Sequence, residues 1–325
     1  TLPNELTRDG DFRSAAGAFG TTLIASRTMF GAIPAAPGAA IAPVPFMTRA
    51  NALSDPTLSV TPTGALLAFE SEVPNPGSSG TTYDFYVTRL DVDGTPAAGG
   101  DVRVDRSGGG RTEVAWRGEN WVIAWHVGSD VKTASVSLQG GIDPPGGRTI
   151  ATVAVENFVA HLTISSMGNQ VAVAWTTHGL GVPSNTFVQR LDAVGHSIDA
   201  TPFTFTGSGM LGVAGLGTSA LLVYRSANAN YAVSVPQAPM GLGSPAILTA
   251  GFIPDGVVGM DGRWLAIEWI SKRPVRFQAF DSLLAPSPVV ALPYNATDRL
   301  VSTGAFALGH DDANFVVGIV PTNEA

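Results

Sequence analysis

Cysteine is absent from the 325 residues of this chain. That single absence excludes disulfides, thiolate metal sites, covalently attached c-type haem and cysteine nucleophiles, and leaves stability to packing alone. Lysine is scarce as well, occurring only at Lys132 and Lys272. Charged residues make up 14% of the chain, and the net charge is −8 with no basic cluster. Nothing in that distribution neutralises a phosphate backbone, which excludes nucleic acid and anionic membrane surfaces as partners. A long unbroken apolar run is also missing. The nearest approach, "GAIPAAPGAAIAPVPF" from Gly31 to Phe46, carries four prolines, whereas a membrane-spanning helix needs about 20 uninterrupted apolar residues.

What the chain does have is short apolar runs and turn residues. Hydrophobic residues are 45% of the total, ample for a core and far from the composition of disordered chains. The 38 glycines and 23 prolines are dispersed rather than periodic. They suit many short strands joined by tight turns and argue against long helices. The chain begins at Thr1 without an initiator methionine, as a mature exported protein would, so the expected location is secreted or cell-surface with a leader removed.

One phrase recurs along the sequence. "VAWRGENWVIAW" ends at Trp125, "TISSMGNQVAVAW" at Trp175, "VAGLGTSALLVY" at Tyr224 and "VVGMDGRWLAIEW" at Trp269, each with glycine seven residues before the terminal aromatic. Looser copies end at Phe69, Ser26 and Ile319. Two short β-rich runs around a glycine turn read as a hairpin, with glycine taking the positive φ that such turns need. A second half follows: "FYVTRLDVDGTPAAGGDVRV" matches "TFVQRLDAVGHSIDATPFTF", so that Arg89, Leu90, Asp91 and Gly94 correspond to Arg190, Leu191, Asp192 and Gly195. Each unit is then four strands over roughly 45 to 50 residues, the length of one blade of a β-propeller. The large aromatic fills the wedge between neighbouring twisted sheets, where it buries about 150 to 250 Å².

The expected fold is therefore all-β: a single-domain, seven-bladed β-propeller of four-stranded antiparallel blades, with six blades as the alternative. The units fall near 12–54, 55–105, 106–153, 154–206, 207–250, 251–294 and 295–325. Residues 1–11 are expected to supply an outer strand to the C-terminal blade and close the ring. The phrase G-x6-W followed by R-L-D-x-x-G resembles the repeat of secreted bacterial β-propellers with units of the type W-N-G-x-x-Y-L-V-V-W and R-V-D-x-x-G. The resemblance covers almost the whole chain and implies an architecture rather than an activity.

In a propeller the connections from second to third strand and those between blades gather on one face around the channel, the default ligand site. From these connections Glu70, His126, His178, Arg225, Asp255 and Arg299 are the candidate binding residues. His126, His161, His178, His196 and His310 show no H-x-x-x-H spacing, so no metal or other cofactor is expected. There is no G-x-S-x-G elbow and no phosphate loop. "DVDG" at Asp91 to Gly94 lacks the closing glutamate of a calcium loop and reads as a hairpin turn. Among the tryptophans, Trp125, Trp175 and Trp269 recur at one repeat position and mark core, which leaves Trp116 and Trp121 as freer candidates for stacking on a sugar.

Three functional readings follow. Repeats without a catalytic motif favour a non-catalytic recognition or scaffold module binding protein or glycan. Low charge and a mean hydropathy of +0.21 favour self-association as a structural subunit of an extracellular assembly. Loop carboxylates, with Glu70, Glu156 and Asp255 as candidates, could form the pair separated by about 5 to 10 Å that a carbohydrate-active hydrolase or lyase needs.

Overall fold

The computed structural model describes residues 13–16, 21–25, 30–34, 53–61, 63–74, 81–91, 95–107, 112–154, 157–179, 182–207, 209–226, 229–249, 252, 256–260, 263–268, 276–281, 284–291, 306–311 and 314–319. The described residues contain no helix and build seven antiparallel sheets. The first holds β1 (Arg13–Ala16), β2 (Thr21–Ala25) and β3 (Phe30–Pro34). The second holds β4 (Leu53–Thr61), β5 (Gly64–Pro74), β6 (Thr81–Leu90) and β7 (Pro96–Ser107). In the third are β8 (Glu113–Trp116), β9 (Asn120–Val127), β10 (Asp130–Ser137) and β11 (Ile142–Thr152). The fourth comprises β12 (Asn157–Met167), β13 (Gln170–Gly179), β14 (Val182–Leu191) and β15 (Phe203–Thr206). The fifth comprises β16 (Gly209–Leu216), β17 (Ser219–Ser226), β18 (Ala229–Pro236) and β19 (Ala246–Ile247). β20 (Gly256–Met260), β21 (Arg263–Glu268), β22 (Arg276–Asp281) and β23 (Val290–Ala291) make the sixth. β24 (Phe306–Asp311) and β25 (Asn314–Ile319) make the seventh. In all five four-stranded sheets the spatial order is the sequence order.

The glycine turns set this register. Met167 pairs with Gln170 around Gly168 (φ 61°), and Leu216 pairs with Ser219 around Gly217 (φ 57°), a left-handed backbone that a two-residue hairpin turn requires. Counting five residues on from the first residue of the second strand brings Phe69, Trp125, Trp175 and Tyr224 to one position. The sixth copy differs from expectation. Met260 pairs with Arg263, so the position five residues on from Arg263 falls on Glu268. Trp269 itself lies outside the described residues.

Second strands are covered by neighbours on both sides, and their burial shows it: β9 and β13 are buried almost end to end, whereas the fourth strand β11 is half-exposed along its length. That is why the second strands read as continuous apolar runs rather than as alternation. Odd and even residues face opposite gaps. Leu66 and Ala68 pack against Trp121, Ile123 and Trp125; Val122 and Ala124 against Val171, Val173 and Trp175; Ala172 and Ala174 against Leu222 and Tyr224; Leu221 and Val223 against Trp264 and Ala266. Trp121 belongs to this core at 0% exposure, which removes it as a surface stacking residue, and Trp116 packs on it with ring centroids 5.0 Å apart.

First strands lie beside one another in sequence order, from β1 and β4 through β8, β12, β16 and β20 to β24, and β24 also lies beside β1. The approach is close. A Cβ on Gly215 of β16 would stand 1.6 Å from the Ser166 carbonyl oxygen of β12, so only glycine fits. Among the described residues β24 and β25 pair only with each other. Residues 1–11, expected to complete that sheet, lie outside the described residues.

Candidate functional site

The end of the sheets where second strands pass to third strands is held by one recurring cross-strand pair. Phe69 stacks on Tyr86 at 5.7 Å, Trp175 on Phe187 at 5.5 Å and Tyr224 on Tyr231 at 5.4 Å, each directly opposite in its ladder. In the third sheet Lys132 takes the aromatic's place, its Nζ 5.9 Å from the Trp125 ring centre. In the sixth an ion pair replaces the stack altogether, Arg276 with Glu268. The third-strand partners were hidden in the sequence, although Tyr86 and Phe187 both stand three residues before the arginine of an Arg-Leu-Asp triplet.

Carboxylates at this end are engaged. Asp84 receives both Nη2 and Nε of Arg103 at 2.9 Å, and that pairing raises the Arg103 pKa. Asp105 takes Lys132 Nζ at 2.6 Å and stands 3.4 Å from Trp125 Nε1. Glu268, 1% exposed, holds Arg276 and pushes its pKa up through hydrogen bonding.

Four of the six candidate residues are described, and all four lie within strands rather than in the connecting loops. Glu70, 1% exposed, shares the side of β5 with Leu66 and Ala68, facing the third sheet. His126 is buried on the side of β9 that carries Val122 and Ala124, facing the fourth sheet. Burial lowers its pKa, with the main chain of Gly128 opposing the shift, and its Nδ1 has no hydrogen-bond partner among the described residues. His178 lies on the β13 side that faces the fifth sheet, and exposed Arg225 on the β17 side that faces the sixth. The four thus occupy four successive gaps around one end and do not converge on a common centre. Asp255 and Arg299 lie outside the described residues.

The structure instead gathers other groups around His178. The Phe158 ring, opposite it in the ladder, stacks on the imidazole at 6.0 Å and 25°, and His161 meets the imidazole edge-on at 6.4 Å and 70°. Ser184 Oγ lies 3.3 Å from His178 Nδ1. His178 Nε2 and the fully buried hydroxyls of Thr176 and Thr186 have no hydrogen-bond partner among the described residues. Phe158 itself is 59% exposed. It stands at a blade junction, where an apolar aromatic was the available signal. Reading by residue type passed over it.

The opposite end is knitted by the Arg-Leu-Asp triplets. Arg190 forks onto Asp199 and donates Nη1 to the carbonyl oxygens of Pro236 and Met240 in the fifth sheet, and Arg89 reaches the Leu138 carbonyl of the third sheet in the same way. Asp192 closes its own turn. Burial works to raise its pKa, but hydrogen bonds from the His196 main chain and ring and from the Val194 N–H outweigh it and hold the carboxyl low. This is hairpin architecture, and among the described residues no group of three or more potential metal ligands is found. No helix of the described residues is long and apolar enough to cross a membrane.

No protein-family model and no curated protein sequence matches the chain. Solved structures do. The Dos1 propeller superposes with a TM-score of 0.55 at 10% identity, covering 96% of this chain and 79% of that one. KlAtg21, in its complex with the coiled coil of AgAtg16, gives 0.54 at 10%, covering 96% and 95%. A prolyl endopeptidase gives 0.54 at 16%, covering 95% of this chain but 45% of that one, so the chain spans under half its length. At such identities the likeness is one of architecture alone. With the succession of four-stranded antiparallel sheets, it gives this chain a β-propeller fold.

Proposed function

We propose that this chain is a non-catalytic recognition propeller, a closed ring of seven sheets that binds a protein or a glycan at the end where second strands pass to third strands. The reading is carried by a contrast at that end. Asp84 and Glu268 are tied up in ion pairs inside their own sheets and Asp105 in one with Lys132 of the next sheet, and an ion-paired carboxylate that is 1% exposed, as Glu268 is, cannot reach a substrate. Beside them Phe158 offers an aromatic surface to solvent. The ring is supported by the run of neighbouring first strands that leads from β24 back to β1.

The test measures binding and turnover of the purified chain on one panel of soluble glycans and candidate proteins. Saturable binding without any cleaved product supports recognition; released reducing ends or unsaturated products overturn it. A structural role in an assembly has one observation of its own: Ile247 and Val290, 66% and 59% exposed, sit on two-residue fourth strands that leave the outer edges of two sheets bare. Sedimentation showing particles that grow with concentration would favour that role.

A further inference from the structure

Resting on the recognition reading above, we propose that the ligand is a neutral glycan and that one of its sugar rings stacks on the outward face of Phe158. The rear of the Phe158 ring lies on His178, which is steadied by Ser184 at Nδ1 and by the edge of His161. The front is open, with 59% of the residue exposed. An aromatic ring fixed from behind loses little freedom when something flat settles on its face, and the C–H face of a pyranose is flat and apolar.

The surroundings select the ligand's chemistry. Among the described residues, the side chains at this end that share this side of β12, β13 and β14 with Phe158 are His161, Thr176, His178, Ser184 and Thr186, none of them an acid, a lysine or an arginine; Arg190, farther along the same side of β14, is held by Asp199. Arg225, the nearest candidate cation in the repeat, lies on the far side of the next sheet and faces the sixth. A carboxylate-bearing sugar would find no cationic partner among these side chains. The Nε2 of His178, behind the Phe158 ring, is a hydrogen-bonding group that the fold itself leaves unused, whereas the hydroxyls of Thr176 and Thr186 are 0% exposed and out of a ligand's reach. Sugar hydroxyls both donate and accept, and a serine hydroxyl and an imidazole offer partners for both roles. A protein hot spot would instead place its aromatic anchor within a packed apolar pocket, whereas the neighbours of Phe158 here are imidazole and hydroxyl groups.

The experiment titrates the full chain with neutral oligosaccharides of glucose, galactose, mannose and N-acetylglucosamine, beside sialylated and uronic-acid glycans and a panel of soluble proteins. The expected result is binding of at least one neutral oligosaccharide, weakened at least about tenfold by Phe158→Ala and retained by Phe158→Trp. Unchanged melting of both variants shows that the fold is intact. Binding of acidic glycans alone, binding of no glycan, or neutral-glycan binding untouched by Phe158→Ala each overturns the inference. The recognition reading survives these outcomes where a protein from the panel binds without turnover, and falls separately if any glycan is cleaved.

Discussion

Trp264 donates its indole N–H to the main-chain carbonyl of Ala214, 3.1 Å away in the first strand of the preceding sheet, and Trp121 does the same to Ser59 at 3.3 Å. Both tryptophans are the second residue of a second strand, and both carbonyls lie two residues before the end of a first strand. The two tryptophans are 1% and 0% exposed. One side chain thus fills the wedge between two sheets and bolts across it.

Volume and hydrogen bond separate on substitution. Trp264→Phe keeps most of the bulk but leaves the Ala214 carbonyl unpaired, at a cost of about 1–2 kcal/mol. Trp264→Ala removes the wedge and costs about 3–5 kcal/mol. Urea unfolding of the two variants measures the difference, and equal losses would show that the ring's volume contributes nothing.

The repeat and its strand order were legible in the sequence because the glycine turns and terminal aromatics recur at fixed spacing, and spacing is what a covered strand imposes. The sixth copy shows the limit. There the second strand pairs from Arg263, so that Glu268 rather than Trp269 takes the slot, and the count of residues from glycine to aromatic does not reveal where pairing starts. The site was less legible. His178 was reachable as a strand-end histidine, but Phe158 and His161 come to it across a ladder interrupted by an irregularity between Val159 and His161, and no local pattern announces that meeting.

The two Arg-Leu-Asp triplets look alike and should weigh differently. Arg190 pairs with Asp199, not with the aspartate of its own triplet, and their side chains are 5% and 11% exposed. Asp199→Asn strands a buried guanidinium and should cost about 3–5 kcal/mol. Arg89 lies 3.7 Å from Asp91, with exposures of 35% and 52%, and Asp91→Asn should cost less than about 1 kcal/mol. Chemical denaturation of both variants checks the ranking; similar losses would contradict it.

Trp125 and Trp175 occupy the same repeat position with unequal support. Trp125 Nε1 faces Asp105 at 3.4 Å, whereas Trp175 Nε1 has no hydrogen-bond partner among the described residues. Ala151 stands in the third sheet where the second sheet has Asp105, which explains the missing acceptor. Trp125→Phe should therefore destabilise by about 1 kcal/mol more than Trp175→Phe, measured by unfolding in urea. A larger loss from Trp175→Phe would refute the register argument.

His126 should make the fold sensitive to mild acid. Its folded pKa is lowered from 6.5 by burial, so the unfolded chain takes up the proton first as pH falls. Above 6.5 both states are neutral and the group contributes no pH dependence. Below it stability declines, until the pH reaches the lowered folded value and the decline stops. His126→Gln removes the titration, so the difference in stability between the two proteins should change between about pH 7 and pH 5. Parallel stability curves across that window would exclude the assignment.

Closure of the ring is testable at the chain's beginning. β24 lies beside β1, yet β25 has no further described partner in its sheet, and an unpaired strand edge leaves a row of backbone groups open unless another strand covers it. If residues 1–11 supply that strand, deleting them removes ladder hydrogen bonds and bares the gap between the seventh sheet and the first. At about 2–4 °C per kcal/mol for a large domain, the loss of one packed outer strand should lower the melting temperature by at least about 5 °C. Scanning calorimetry of the truncated chain gives the answer. An unchanged melting temperature would mean that the ring is closed by packing of the first strands alone, and the strand-exchange scheme would have to be abandoned.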